Sequence, residues 1–230
     1  MAVRESTGGA RRTTVDRVAD ALRQEVLTEV ITAGAAVTES LVATAHAVAR
    51  PTARAAIDRL VREGILRRAP HSSARVPRLS ANDISDLYFA RSCLEREAFV
   101  ALAERREVPV AAHAALADLL VAVNTSPLGV VTADIEFHRA LVDAVQSPRL
   151  ARLHASLMGE VHLCMAQVQL RGLVTPQSIY DDHLAIAGQI AAGDPEKVPQ
   201  VVTYHLERAR DALLQNLRRK QNETDRDGDE

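Results

Sequence analysis

Four residues in the second half of this 230-residue chain have types and spacings suited to holding a metal ion. Asp134 and His138 stand four apart in ADIEFHRAL, which puts both on one helical face, one turn from each other. His183 and His205 are 22 apart, with Gly193 and Asp194 near the midpoint. In an antiparallel helical hairpin, about ten residues up one helix and eleven down the next bring both imidazoles to one height, roughly 15 Å from the turn. Three imidazoles and one carboxylate suit a divalent transition metal, with zinc and nickel ahead of manganese on ligand type. The same residues also suit plainer roles: a surface hydrogen bond for the Asp/His pair, and a structural place for each lone histidine. On an octahedral ion, four protein ligands leave up to two positions for water or a chelating carboxylate. Arg91, with Glu95 one turn on, offers a fork of donors to such an acid, or else forms a helix ion pair. His162, between Met158 and Met165, is a candidate effector contact or a core residue.

A second set of chemistry-bearing residues lies in the first third. The run VARPTARAAIDRLVREGILRR, from Val48 to Arg68, has Pro51 near its start and Gly64 as its stop, the marks of a helix with both ends written in. Ile57, Leu60 and Val61 share one face, while Arg50 and Arg54 lie one turn apart at the amino end with Thr52 between them. A helix entering the major groove presents side chains at that end to base edges.

The elements that must position these groups follow from periodicity. Val18, Leu22, Val26 and Val30 recur at four-residue steps, predicting a first helix from Val15 to about Ile31, with Thr13 or Thr14 as cap. Gly34 breaks the pattern, Thr38 caps a short helix to about Ala45, and 46–49 turn into the arginine-bearing helix, which makes a helix-turn-helix. The stretch after Gly64 predicts a two-stranded wing with its turn near Pro70 to Ser73, and Arg75 is its best DNA contact. From Ser80, which forms a capping-box pattern with Asp83, six helical patterns follow: 80–106, 109–123, 130–145, 148–170, 176–192 and 195–219. Pro199 is expected to bend the last or delay its start. The fold class is thus mostly α: an N-terminal winged helix-turn-helix domain at 14–78 and a C-terminal all-α antiparallel bundle at 79–220. A flexible tail at 1–13 and a disordered tail at 221–230 complete the division.

Charge divides the chain in the same place. Residues 1–78 carry 13 basic and 8 acidic side chains, a net of +5, leaving 15 basic and 22 acidic for the rest, a net of -7. The first part suits a polyanion, and the second would be repelled by one. No apolar run approaches the roughly 18 residues of a membrane span, and the polar start MAVRESTGGARRTT predicts a cytoplasmic protein. Cys93 and Cys164 fall in amphipathic helices, so both are expected as buried, reduced thiols.

Through Gly34, Glu39, VARPTARAAIDRLVREGIL and the wing, residues 15–78 resemble the DNA-binding domain of the GntR family of bacterial transcription regulators. The resemblance implies that Arg50 and Arg54 touch an operator. Departures are Ala49 in place of a capping serine, Ala47 for the turn glycine, Ala55 for a glutamate and Ser73 for the wing-tip glycine. His46 takes a normally apolar turn position, as a partly buried structural residue. Residues 79–217 resemble the FCD ligand-binding domain of the FadR branch, through LYFARSCLEREA, DIEFHRAL, DDHLAIAGQIAAGD and YHLERA. This resemblance implies a metal held by Asp134, His138, His183 and His205, with Asp182 as a supporting partner or a solvent-facing neighbour. Together the two imply a homodimeric repressor on double-stranded DNA with a palindromic operator, released or retained by a small organic acid. The competing class is a metal-dependent hydrolase or oxygenase, since three histidines and a carboxylate with open positions can activate water. It needs a general base, and Glu136 faces away from Asp134 and His138.

Overall fold

Thr13 caps the first helix: its hydroxyl accepts from the Asp16 amide while the Asp16 carboxylate accepts from the Thr13 amide, so two free donors at the start of α1 (Thr14–Leu27) are satisfied reciprocally. The structure is a computed structural model that describes residues 12–227, so most of the tail expected at 1–13 lies outside the described residues. After α1 come β1 (Ala36–Val37), α2 (Glu39–Ala45), α3 (Arg50–Arg62) and β2 (Ala74–Arg75). Val18, Leu22 and Val26 of α1 pack on Ile57 and Leu60 of α3 in one buried core. Arg23 of α1 reaches both Asp20 and Glu63 at 2.6 Å, and Arg59 of α3 reaches Asp16 at 2.5 Å and Glu63 at 2.8 Å, so ion pairs brace the same two helices at their edge.

Three sequence expectations change here. Val30 does not continue the buried stripe: α1 caps at Thr28, Glu29 turns to φ 59°, and Val30 is left 73% exposed. The wing is present as the Arg67/Arg75 pairing, but Arg75 is also paired on its other side, with Ala36 of β1. A two-residue strand has no alternation for a pattern to reveal. Cys93 is exposed, with Cys164 alone buried, because it lies two residues past the inward Arg91 and so points away from the core.

The bundle comprises α4 (Ala81–Arg105), α5 (Val110–Ala122), α6 (Pro127–Ala144), α7 (Pro148–Leu170), α8 (Pro176–Ala192) and α9 (Val198–Asp227). Ser80 and Asp83 form the expected capping box on α4. Pro127, Pro148 and Pro176 are the first residues of their helices, where a missing amide proton breaks no bond. Pro199 is the second residue of α9, so it delays that helix rather than bending it. α9 continues through 221–227, part of the expected disordered tail, since no glycine or proline interrupts the run before Gly228; 228–230 lie outside the described residues. The bundle core centres on Phe99, Leu102, Phe137, Leu141, Ile186 and Val202. One stripe of α4 runs Ile84, Leu87, Tyr88, Arg91, Glu95, Phe99 and Leu102, all buried, so an arginine and a glutamate sit inside an otherwise apolar seam.

Ala47, at the turn into α3, has φ 51°, a left-handed conformation that alanine adopts at a cost of roughly 1–2 kcal/mol. Less the extra freedom glycine gains in the unfolded chain, Ala47→Gly is expected to stabilise the protein by about 0.5–1 kcal/mol. Urea denaturation measures it, and a destabilised variant would contradict the assignment.

Candidate functional site

α6 supplies Asp134 and His138 from adjacent turns, and the antiparallel pair α8 and α9 brings His183 and His205 to the same level. One donor atom from each of these four buried residues lies within 4.8 Å of the other three. His183 Nε2 is 3.1 Å and His205 Nε2 3.9 Å from Asp134 Oδ1, and the Nε2 atoms of His138 and His205 are 3.2 Å apart.

Each imidazole is held by its other nitrogen. His183 Nδ1 donates to the Ile179 carbonyl at 2.7 Å, and His205 Nδ1 to Asp182 at 3.1 Å. His138 Nδ1 lies 2.8 Å from Glu95 Oε2. A carbonyl or carboxylate only accepts, so the His183 and His205 bonds assign the proton to Nδ1 in those two rings, and the Glu95 carboxylate beside His138 Nδ1 favours the same tautomer there, which turns three Nε2 lone pairs inward. Both Asp134 oxygens are buried with no well-directed hydrogen bond. Lone pairs and a carboxylate converging on one point, with no proton to share among them, fit a bound cation.

Protonation agrees with this geometry. Burial pushes His138 down to about 3 despite the nearby Glu95 carboxylate, and burial likewise lowers His205, so both are neutral near pH 7. For Asp134, burial alone would raise the pKa, but His183, His138 and Arg91 together hold it below the ordinary carboxylate range.

Around this centre lies a buried charged cluster. Arg91 is fully buried; its Nε donates to Glu95 Oε1 at 2.6 Å, while both terminal nitrogens are buried without a hydrogen-bond partner. The ion pair and the free donor fork, alternatives in the sequence, coexist in one side chain. Glu95 Oε1 also lies 3.0 Å from Nε2 of His154 on α7. His154 was not among the sequence candidates. Its place on the buried i, i+4, i+7 series with Met158 and Val161 was the available signal. Asp182 faces inward rather than to solvent, holding His205 and bonding to Arg208.

His162 belongs elsewhere. It lines a cavity of about 750 Å³ between the two parts of the chain, together with Arg23, Arg62, Glu63, Ile135 and Arg139. Met158 and Met165 turn into the bundle, and His162, set between them in sequence, turns toward α1 and α3. Glu136 bonds to the neighbouring Arg139 at the surface, so it is not placed as a general base for the centre.

At the other end, Arg50 is the first residue of α3, exposed, and bonds to the Ser40 hydroxyl of α2. Arg54 is 67% exposed, 3.8 Å from Glu39 and 3.9 Å from Asp58. Thr52 is half-buried, and Ala49 gives α3 no side-chain cap, its carbonyl instead accepting from the Thr52 and Ala53 amides. Arg75 is exposed and donates to the Gly34 carbonyl at 3.0 Å.

Comparison with known proteins matches both halves. The model for bacterial regulatory proteins of the gntR family matches residues 14–76, and that for the FCD domain matches residues 86–208. The HTH-type transcriptional repressor NanR of Salmonella typhimurium is 27% identical, over 69% of this chain and 68% of that protein. Among solved structures, a GntR transcriptional regulator from Rhodococcus sp. RHA1 is 25% identical with a TM-score of 0.71, covering 87% of this chain and 97% of that one. E. coli McbR/YncC shares the fold at 18% identity and a TM-score of 0.70, covering 89% of this chain and 99% of that one.

Removing Glu95 would leave Arg91 as an unpaired buried charge. Glu95→Ala is therefore expected to lose about 3–5 kcal/mol of stability, whereas Arg139→Ala, at an exposed pair, should change it by less than about 1 kcal/mol. Urea denaturation distinguishes them, and a loss below about 1 kcal/mol for Glu95→Ala would contradict the burial of that charge.

Proposed function

Since this chain belongs to the GntR family of bacterial transcription regulators, with an FCD effector-binding domain behind its winged helix, we propose that its effector is a small carboxylate held between a metal and Arg91. The chain is a transcription regulator, and its family is not one of enzymes. GntR-family regulators bind DNA operators and are typically dimers. In this reading the winged part, 14–78, binds DNA through Arg50, Thr52, Arg54 and Arg75, and the bundle, 79–220, holds the effector and pairs two copies. Two recognition helices then meet a short palindrome, about one helical turn of DNA apart. None of the helices, among the described residues, is long and apolar enough to cross a membrane. Action on DNA in the cytoplasm fits that.

The observation that carries the proposal is the set of three Nε2 lone pairs and the unbonded Asp134 carboxylate facing one point. Asp134, His138, His183 and His205 would hold a divalent transition metal, zinc ahead of nickel and manganese on ligand type. Bound there, it supplies a positive charge and open positions for a carboxylate. Arg91 supplies the second contact: its two terminal nitrogens are buried donors without a partner, and a guanidinium fork matches a carboxylate. Binding acts on DNA affinity only through its different strength in two arrangements of the chain, about 1.4 kcal/mol for a tenfold release. Repression is the preferred direction, as in the NanR repressor that the chain resembles.

Two measurements test this. Zinc added to chelator-stripped protein should raise the melting temperature, and Asp182→Asn, which loosens the hold on His205, should weaken metal affinity by about 10–100-fold. No rise, or an unchanged affinity in the variant, counts against the site. Arg50→Ala should cost about 1–3 kcal/mol of discrimination between selected and random duplexes, read by fluorescence anisotropy. Its stability should remain within about 0.5 kcal/mol of wild type; a large drop would make Arg50 a structural residue instead.

A further inference from the structure

α7 belongs to both parts of the molecule. Its residues His154, Met158, Val161 and Met165, at i, i+4, i+7 and i+11, are buried toward the bundle. On the adjoining stripe, Leu163 and Ala166 are buried in the core of the winged part. Between the stripes, Gly159 meets the end of α3 backbone to backbone. A Cβ at Gly159 would lie 1.9 Å from the Glu63 carbonyl oxygen and 2.5 Å from the Gly64 carbonyl carbon. Gly64, at φ 76°, is the residue on which α3 stops. One position on, Glu160 receives Arg67 through two hydrogen bonds, of 3.1 and 2.7 Å. At the other end of the same stretch, His154 reaches Glu95, whose second oxygen lies 2.8 Å from His138. Five residues, about 7.5 Å of helix, separate His154 from Gly159.

We infer that α7 is the rod that sets the DNA-reading helix against the bundle, with Gly159 and Glu160 as its positioning residues. A side chain caught between two helices has rotamers to spend, but two backbones in contact have none, so a shift of α7 passes to the end of α3 undamped. The Arg67/Glu160 fork fixes the rotation about that contact, and Glu63, tied to Arg23 and Arg59, spreads the load to α1. His154 couples the rod to His138 through Glu95. This last step rests on the metal reading of the centre, whereas the placement of α3 by Gly159 and Glu160 does not.

The test uses the full chain and a duplex that the wild type selects from a random-sequence library. Measured without metal, Gly159→Ala should weaken binding by about tenfold, the usual scale of coupling between sites, and Glu160→Gln by about threefold. Alanine favours helix over glycine, so α7 itself is not weakened by the substitution, and both variants should keep the wild-type rise in melting temperature with zinc. Amide exchange of residues 59–68 should change on adding zinc to wild type and not to Gly159→Ala. Should Gly159→Ala fail to fold, Glu160→Gln alone decides the matter. Metal-free binding within twofold of wild type in the folded variants overturns the positioning claim. A wild type whose melting temperature ignores zinc removes the metal reading, and with it the coupling step, while the metal-free affinities still decide the positioning.

Discussion

A carboxylate with no access to water, Glu95, is the constraint on which the bundle depends. Placing one charge in an apolar seam costs several kcal/mol unless its partners are complete, and Glu95 draws them from three helices: Arg91 on its own α4, His138 on α6 and His154 on α7. Arg91 neutralises the charge. His138 is thereby turned so that its other nitrogen faces Asp134, His183 and His205. His154 ties in the helix that touches the DNA-reading part. Burial would raise Glu95, but Arg91 and His138 hold it ionised. The cluster is therefore charged in place at neutral pH, and the two end nitrogens of Arg91 in it are donors still to be met.

The two ends of the chain solve opposite electrostatic problems. In the bundle, burial keeps His138 and His205 neutral, and the outer nitrogen of each of the three imidazoles faces a carboxylate or carbonyl. In the winged part, Arg50 and Arg54 stay in solvent, with the acids nearest Arg54 almost 4 Å away, close enough to orient it and weak enough to give way to phosphate or base edges. Between these ends, ion pairs brace α1 to α3, and Arg67 of the wing to Glu160 of α7, which holds the winged part against the bundle.

Much of this was legible in sequence because helical period and caps are local. Six bundle helices, the Thr38 and Ser80 caps, an α1 cap at Thr13 or Thr14, and the equal heights of His183 and His205 all follow from spacing alone. What escaped depended on contacts between distant residues. β1 is too short to show alternation, and it exists because Ala36 meets Arg75. His154 looks like any histidine on an amphipathic helix until Glu95, 59 residues earlier, is placed opposite it. His162, set between two methionines, reads as a core residue or a pocket contact, but its turn of α7 faces the winged part. Val30 kept the four-residue rhythm, yet the helix beneath it had already ended at Thr28. Gly159 carries no side chain and so no pattern, and only the approach of Glu63 shows why it is glycine.

The central claim is that Asp134, His138, His183 and His205 share one metal ion. X-ray absorption at the zinc edge, on chelator-stripped protein given one equivalent of zinc, tests it most directly. The account predicts only nitrogen and oxygen neighbours at about 2.0–2.2 Å, with outer-shell scattering from three imidazoles that falls to two in His183→Ala. A sulfur neighbour at about 2.3 Å, or a spectrum unchanged by His183→Ala, would contradict it.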